Sequence, residues 1–67
     1  MPRWKVGGFS IVVYRHDHAP AHVHVWKGNV FVGKYDLENH RWIEGPYRAA
    51  AQARKAIEEW QRRTGVA

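Results

Sequence analysis

The period of apolar and polar positions changes along the chain and marks out its elements. After Gly7-Gly8, the run Phe9-Ser10-Ile11-Val12-Val13-Tyr14-Arg15 is β-branched and aromatic, the composition of a strand buried on both faces for much of its length. His16 to Ala21 interrupts it, because Pro20 has no N–H for a ladder and turns Ala19 away from helical backbone. From His22 to Lys27 the residues alternate His-Val-His-Val-Trp-Lys. Val23 and Val25 then fall on one side of a strand, while His22, His24 and Trp26 share the other. Gly28-Asn29 is a turn dipeptide and predicts a tight hairpin into Val30 to Leu37, antiparallel to the strand before it. Glu38-Asn39-His40 is a polar break, and Arg41 to Glu44 reads as either a short fourth strand or an irregular lead-in.

The period then lengthens. Gly45-Pro46 places proline at a favoured first helical position, and strong helix formers continue to Arg63 before Gly65 supplies a stop. Ala49, Ala53, Ala56, Ile57 and Trp60 make one apolar stripe whose alanines permit close approach to a sheet. On the outer side Glu58 and Glu59 precede Arg62 and Arg63 by four residues, an orientation worth about 0.2–0.5 kcal/mol per ion pair. The expected fold is a single α+β domain over residues 1–67: a small antiparallel sheet of three or four strands, β-β-β-(β)-α, packed against one C-terminal helix. Trp60 and Trp42 are core by position, whereas Trp4 and Trp26 are candidates for the surface.

Composition narrows what such a domain can do. Sixty-seven residues leave no room for a cofactor domain beside a substrate domain. A domain near this size buries only about 60% of the surface its unfolded chain exposes, so its core is thin and commonly needs a metal, a disulfide or a partner. The absence of cysteine removes disulfides, thiolate metal sites and thiol nucleophiles. Metal through histidine and association, including with a second copy of the chain, stay open. Eleven Lys and Arg against six Asp and Glu give a net charge of +5, and the pI is about 10.1, pointing to an acidic partner such as nucleic acid. Protonating the five histidines would double that charge, so affinity for polyanions is expected to rise as pH falls through about 6.5. No targeting segment or membrane span is visible, and a soluble cytoplasmic protein without membrane contact is expected.

The densest chemistry lies between His16 and His24, where four imidazoles and the Asp17 carboxylate fall within nine residues. One use is acid–base cleavage of RNA. An imidazole pair, His22 and His24, takes the 2′-hydroxyl proton and protonates the leaving oxygen, with His18 and Asp17 orienting or tuning them. Arg15, Lys27 and Lys34 are then candidate phosphate contacts, and Trp26, on the histidine face, can stack on a base. This version needs no metal and no cofactor. A second use is a metal site of His16, His18, His22 and His24, although the spacing matches no usual Cys/His finger. A third is local: His16, Asp17 and His18 close a turn by bonding backbone, and His22 and His24 sit on a strand face.

These residues resemble a small prokaryotic family, domain of unknown function 4160. The likeness rests on Asp17-His18-x-Pro20-x-His22-Val23-His24-Val25, then a strand reading Lys34-Tyr35-Asp36-Leu37, then a helix bearing a tryptophan; the family's usual Pro-Pro is Ala19-Pro20 here. The resemblance implies a compact β-rich domain with one C-terminal helix. It also implies a gene often beside another small one in toxin–antitoxin-like pairs. A basic, histidine-bearing chain suits the toxin half by analogy. Its expected partners are nucleic acid, RNA ahead of DNA, and a small cognate protein from the neighbouring gene. A non-catalytic module that binds nucleic acid or a partner through the same face is the alternative.

Overall fold

The computed structural model describes residues 3–13 and 22–65. Five strands, β1 (Arg3–Val6), β2 (Phe9–Val13), β3 (His22–Lys27), β4 (Val30–Asp36) and β5 (Arg41–Glu44), form one antiparallel meander in chain order, and α1 (Ala50–Thr64) follows. The expected α+β layering of one sheet and one C-terminal helix is present, with five strands rather than three or four. The optional strand is β5. The additional one is β1, which is too short and too charged to carry a readable period: three of its four residues are exposed. Gly7 and Gly8, which punctuate the sequence as a break, are in fact its hairpin turn. Their φ values of 55° and 83° supply the two left-handed residues that a two-residue connection requires. The ladder from Arg3 opposite Val12 to Val6 opposite Phe9 holds β1 in place.

One helix can cover only one face of this sheet, and burial alternates accordingly. Phe9, Ile11, Val23, Val25, Val32, Tyr35 and Leu37 meet Ala53, Ala56, Ile57 and Trp60 in a single apolar cluster. The helix lies over β1 and β2. Trp60 is buried and Trp42 packs partly buried against the core, while Trp4 is 44% exposed.

The helix begins later than Gly45-Pro46 suggests. Tyr47 donates its backbone N–H to the Val32 carbonyl at 2.9 Å, which straps the segment after β5 to the sheet. Ala49 then takes a left-handed conformation (φ 50°) as the N-cap residue, and its carbonyl accepts the first helical bond from Ala53 N–H at 2.8 Å. Pro46 therefore lies in the connection and not in the first turn. At the other end, Gly65 donates its N–H to Gln61, and Arg62 and Arg63 stand where the helix dipole favours cations. Arg63 pairs with Glu59 at 2.6 Å as the spacing suggests, but Glu58 turns back to Arg54 at 3.7 Å.

Two details govern β4. Its pairing with β3 shifts at Val25/Trp26, so that Val25 faces Gly33 while Trp26 faces Phe31, and Val32 is the extra residue of a β-bulge. Beneath β5, Gly33 lets the neighbouring chain close in. A Cβ there would overlap the Glu44 carbonyl oxygen and come within 2.9 Å of the Trp42 ring. At the end of β4 the buried Asp36 carboxylate organises the turn to β5, accepting Glu38 N–H at 2.9 Å, Asn39 N–H at 3.1 Å and the Asn39 side-chain amide at 2.8 Å. The Asn39 amide first, and then the two backbone donors, hold this carboxyl below the usual carboxylate range despite its burial.

Gly33→Ala is expected to cost about 1–3 kcal/mol, because the overlap is with backbone and an indole held by the core. A lowered thermal midpoint measures it. Asp36 gives a pH dependence of known sign. Its folded-state pKa lies below its unfolded value, so its stabilisation is complete above about pH 4 and is lost as pH falls through the folded value. Thermal melts across pH 2–6 should show that acid limb in the native chain and a flatter one in Asp36→Asn, which should also be less stable at neutral pH.

Candidate histidine and aromatic face

The face of the sheet turned away from α1 is built from cross-strand rows. One row runs Arg3, Val12, His24, Lys34 and Glu44 across all five strands. The next runs Lys5, Ser10, Trp26 and Phe31, and on the other side of the first His22 faces Asp36, which faces Arg41. Val23 and Val25 are fully buried in the core, whereas His22, His24 and Trp26 are half-buried on this second face. Val12 is buried yet stands outside the core cluster; it forms part of the floor between Arg3 and His24.

The rings on this face form a continuous set. The His22 and His24 centroids are 5.5 Å apart with planes tilted by 57°, and His24 lies 6.0 Å from Phe31. Trp26 meets Phe31 edge to face at 5.1 Å, and Phe31 meets Tyr47 at 6.2 Å. Such pairs contribute about 0.5–1.5 kcal/mol each beyond the area they bury, so they hold one another's orientation. Tyr47 also donates its phenol to a Glu44 carboxylate oxygen at 3.0 Å, and that bond pushes its pKa upward.

Among the described residues of this face, cations outnumber carboxylates. Arg3, Lys5, Lys34 and Arg41 belong to the face by register. Of the two acids in its rows, Asp36 is committed to the turn, and Glu44 lies 3.9 Å from Lys34 and accepts the Tyr47 phenol. The Lys34–Glu44 pair is long and exposed, worth about 0–1 kcal/mol, and leaves the ammonium accessible to another anion.

The structure thus brings His22, His24, Trp26 and Lys34 together. Lys27 goes elsewhere: as the last residue of β3 it has the parity of the core-facing valines, and its ammonium sits 5.6 Å over the Phe9 ring. Arg15, His16, Asp17 and His18 lie outside the described residues, and so do their proposed roles in phosphate contact, orientation and metal binding. Among the described residues, no group of three or more His, Cys, Asp or Glu side chains is placed to hold a metal ion. No helix among them is long and apolar enough to cross a membrane.

Residues that sequence reading left out complete the surface. Phe31 was within reach, since a two-residue turn at Gly28-Asn29 pairs Lys27 with Val30 and therefore Trp26 with Phe31. Arg3 and Ser10 arrive only with the β1–β2 pairing, and Tyr47 only through its backbone bond to Val32.

No curated protein and no solved structure matches the chain. A family match does exist: it covers residues 8–64, from the end of the first hairpin turn to the last residue of α1, and so includes β2 to β5, the histidine strand and the whole helix. The chain belongs to the family described as Domain of unknown function (DUF4160).

Proposed function

We propose that the face opposite the helix binds single-stranded RNA, as the RNA-directed, toxin-like half of a two-gene module whose second gene encodes a protein partner. One observation carries this reading: Trp26, Phe31, His22 and His24 share with Lys34, Arg3 and Lys5 the sheet face that α1 does not cover, and among the described residues the cations in its rows outnumber the carboxylates. Unpaired bases offer π-faces to aromatic side chains, and the backbone that links them offers a phosphate at each step. A sheet face with interleaved rings and cations suits both. A duplex hides its base faces and makes poor use of the rings. The gene-pair context is an expectation attached to the family resemblance, and the basic charge of the chain accords with it.

The 5.5 Å spacing of the two imidazoles favours a second reading, cleavage by the same face. One imidazole accepts the 2′-hydroxyl proton as that oxygen attacks phosphorus, and the other donates a proton to the departing 5′-oxygen. The products are a 2′,3′-cyclic phosphate and a free 5′-hydroxyl, and no metal takes part.

Binding is measured by anisotropy of a labelled single-stranded RNA across a salt series. The logarithm of affinity should fall linearly with that of salt, by about 0.7 per phosphate neutralised. Lys34→Ala should reduce that slope by about one phosphate's worth, and Lys55→Ala, on the exposed side of α1, should not change it. Salt-independent binding, or equal effects of the two variants, would overturn the reading. Cleavage is read in the presence of a chelator. His22→Ala and His24→Ala should each lower the rate by about 100-fold or more, and the native profile should be bell-shaped in pH. Undiminished cleavage in both variants would assign the activity to a contaminant.

A further inference from the structure

The face turned away from α1 is not uniform. At the end where β1 and β2 meet the β3–β4 turn, Arg3, Ser10, Trp26, Gly28 and Asn29 line a pocket of about 240 Å³. Its origin is legible in the row Ser10, Trp26, Phe31. On the β4 side the indole is covered by Phe31, edge to face at 5.1 Å; on the β2 side its neighbour is a serine, too small to fill the space a larger side chain would occupy. Among the described residues the lining therefore combines an aromatic wall, a hydroxyl, a primary amide and a guanidinium, with no carboxylate.

These groups divide naturally between the parts of a nucleotide. An indole stacks on a nucleobase, whatever its identity. A hydroxyl and a carboxamide carry both donors and acceptors and can satisfy a base edge. A guanidinium is suited to phosphate, which it binds through two parallel hydrogen bonds. The size sets the count, because pockets for drug-sized ligands run from about 300 to 1,000 Å³, and this one falls below that range. It is large enough for one base and too small for two stacked ones.

We propose that this pocket is a single-nucleotide subsite, holding one base against Trp26 with its edge read by Ser10 and Asn29, and its phosphate on Arg3. The inference rests on the reading of the face as RNA-binding and adds base preference to it. Stacking alone is indifferent to sequence, whereas Ser10 and Asn29 at the base edge distinguish one base from another.

The experiment titrates the full chain with each nucleoside 5′-monophosphate and the matching free nucleosides. Nuclear magnetic resonance follows the Trp26 indole N–H and the Asn29 side-chain amide, and labelled RNA binding is measured in parallel. The expected result is that both signals move, that one base binds more tightly than the others, and that the monophosphate outbinds its nucleoside by about tenfold, the worth of one charge-assisted contact. Arg3→Gln should abolish that tenfold advantage. Ser10→Val, which suits a strand and fills the pocket, should remove monophosphate binding while the thermal midpoint stays near the native value. RNA binding that persists with unmoved Trp26 and Asn29 signals, or with native base preference in Ser10→Val, overturns the subsite and leaves the face reading standing. Failure of the native chain to bind RNA at all overturns both.

Discussion

A five-stranded sheet with one helix can bury only one of its faces, and most features of this chain follow from how β3 divides its side chains between the two. Val23 and Val25 go wholly to the helix side and join Ile11, Ile57 and Trp60 in the core. Strand alternation then leaves His22, His24 and Trp26 no choice but the other side. β3 is also the central strand, hydrogen-bonded to β2 and β4, so a one-residue slip would bury two imidazoles and expose two core valines. The energy of core formation thereby fixes the position of the polar face. The histidines are held in register by residues whose side chains lie on the opposite face of the sheet.

The second constraint is local to β4. With an extra residue at Val32, the strand keeps Phe31 beside Trp26 and still returns Gly33 and Tyr35 to the core side. Gly33 then admits the β5 backbone and the Trp42 ring at a distance no side chain would allow, and Trp42 packs against Tyr35 at 5.2 Å in an edge-on contact. Because β5 is drawn in, the segment after it passes close enough for Tyr47 N–H to reach Val32 and for its ring to approach Phe31. Packing on the helix side and the aromatic set on the open side are thus linked through one bulge and one glycine.

This arrangement also bears on why so small a chain carries so many rings. About half of the sheet's surface receives no cover from its own helix, and there rings are interleaved with charged side chains rather than with the aliphatic ones that fill the core. The rings are flat and braced against each other, with cations in the same rows. That combination suits a flat, anionic ligand, and the pocket at Ser10 marks a place where the bracing is interrupted on one side of Trp26.

Alternation in β3, the turn at Gly28-Asn29 and the stripe Ala49, Ala53, Ala56, Ile57 and Trp60, whose first member proves to be the N-cap rather than a helical residue, were legible in the sequence because each depends on near neighbours and on periods of two or 3.6 residues. They were enough to determine an α+β domain, its helix, and which β3 residues share a face. β1 was not legible, since four residues with one apolar anchor gain their stability from the ladder with β2. Nor was the start of α1, where a bond between Tyr47 and Val32 overrode the preference of proline for a first helical turn. Lys27 was placed by its charge beside the histidines, but strand parity carries it to Phe9. The sequence by itself therefore determined three strands, the helix, and that His22, His24 and Trp26 share a face. Only tertiary structure decided what stands beside that face, Phe31, Tyr47, Arg3 and Ser10, because cross-strand register and backbone approach bring together residues that no local spacing connects.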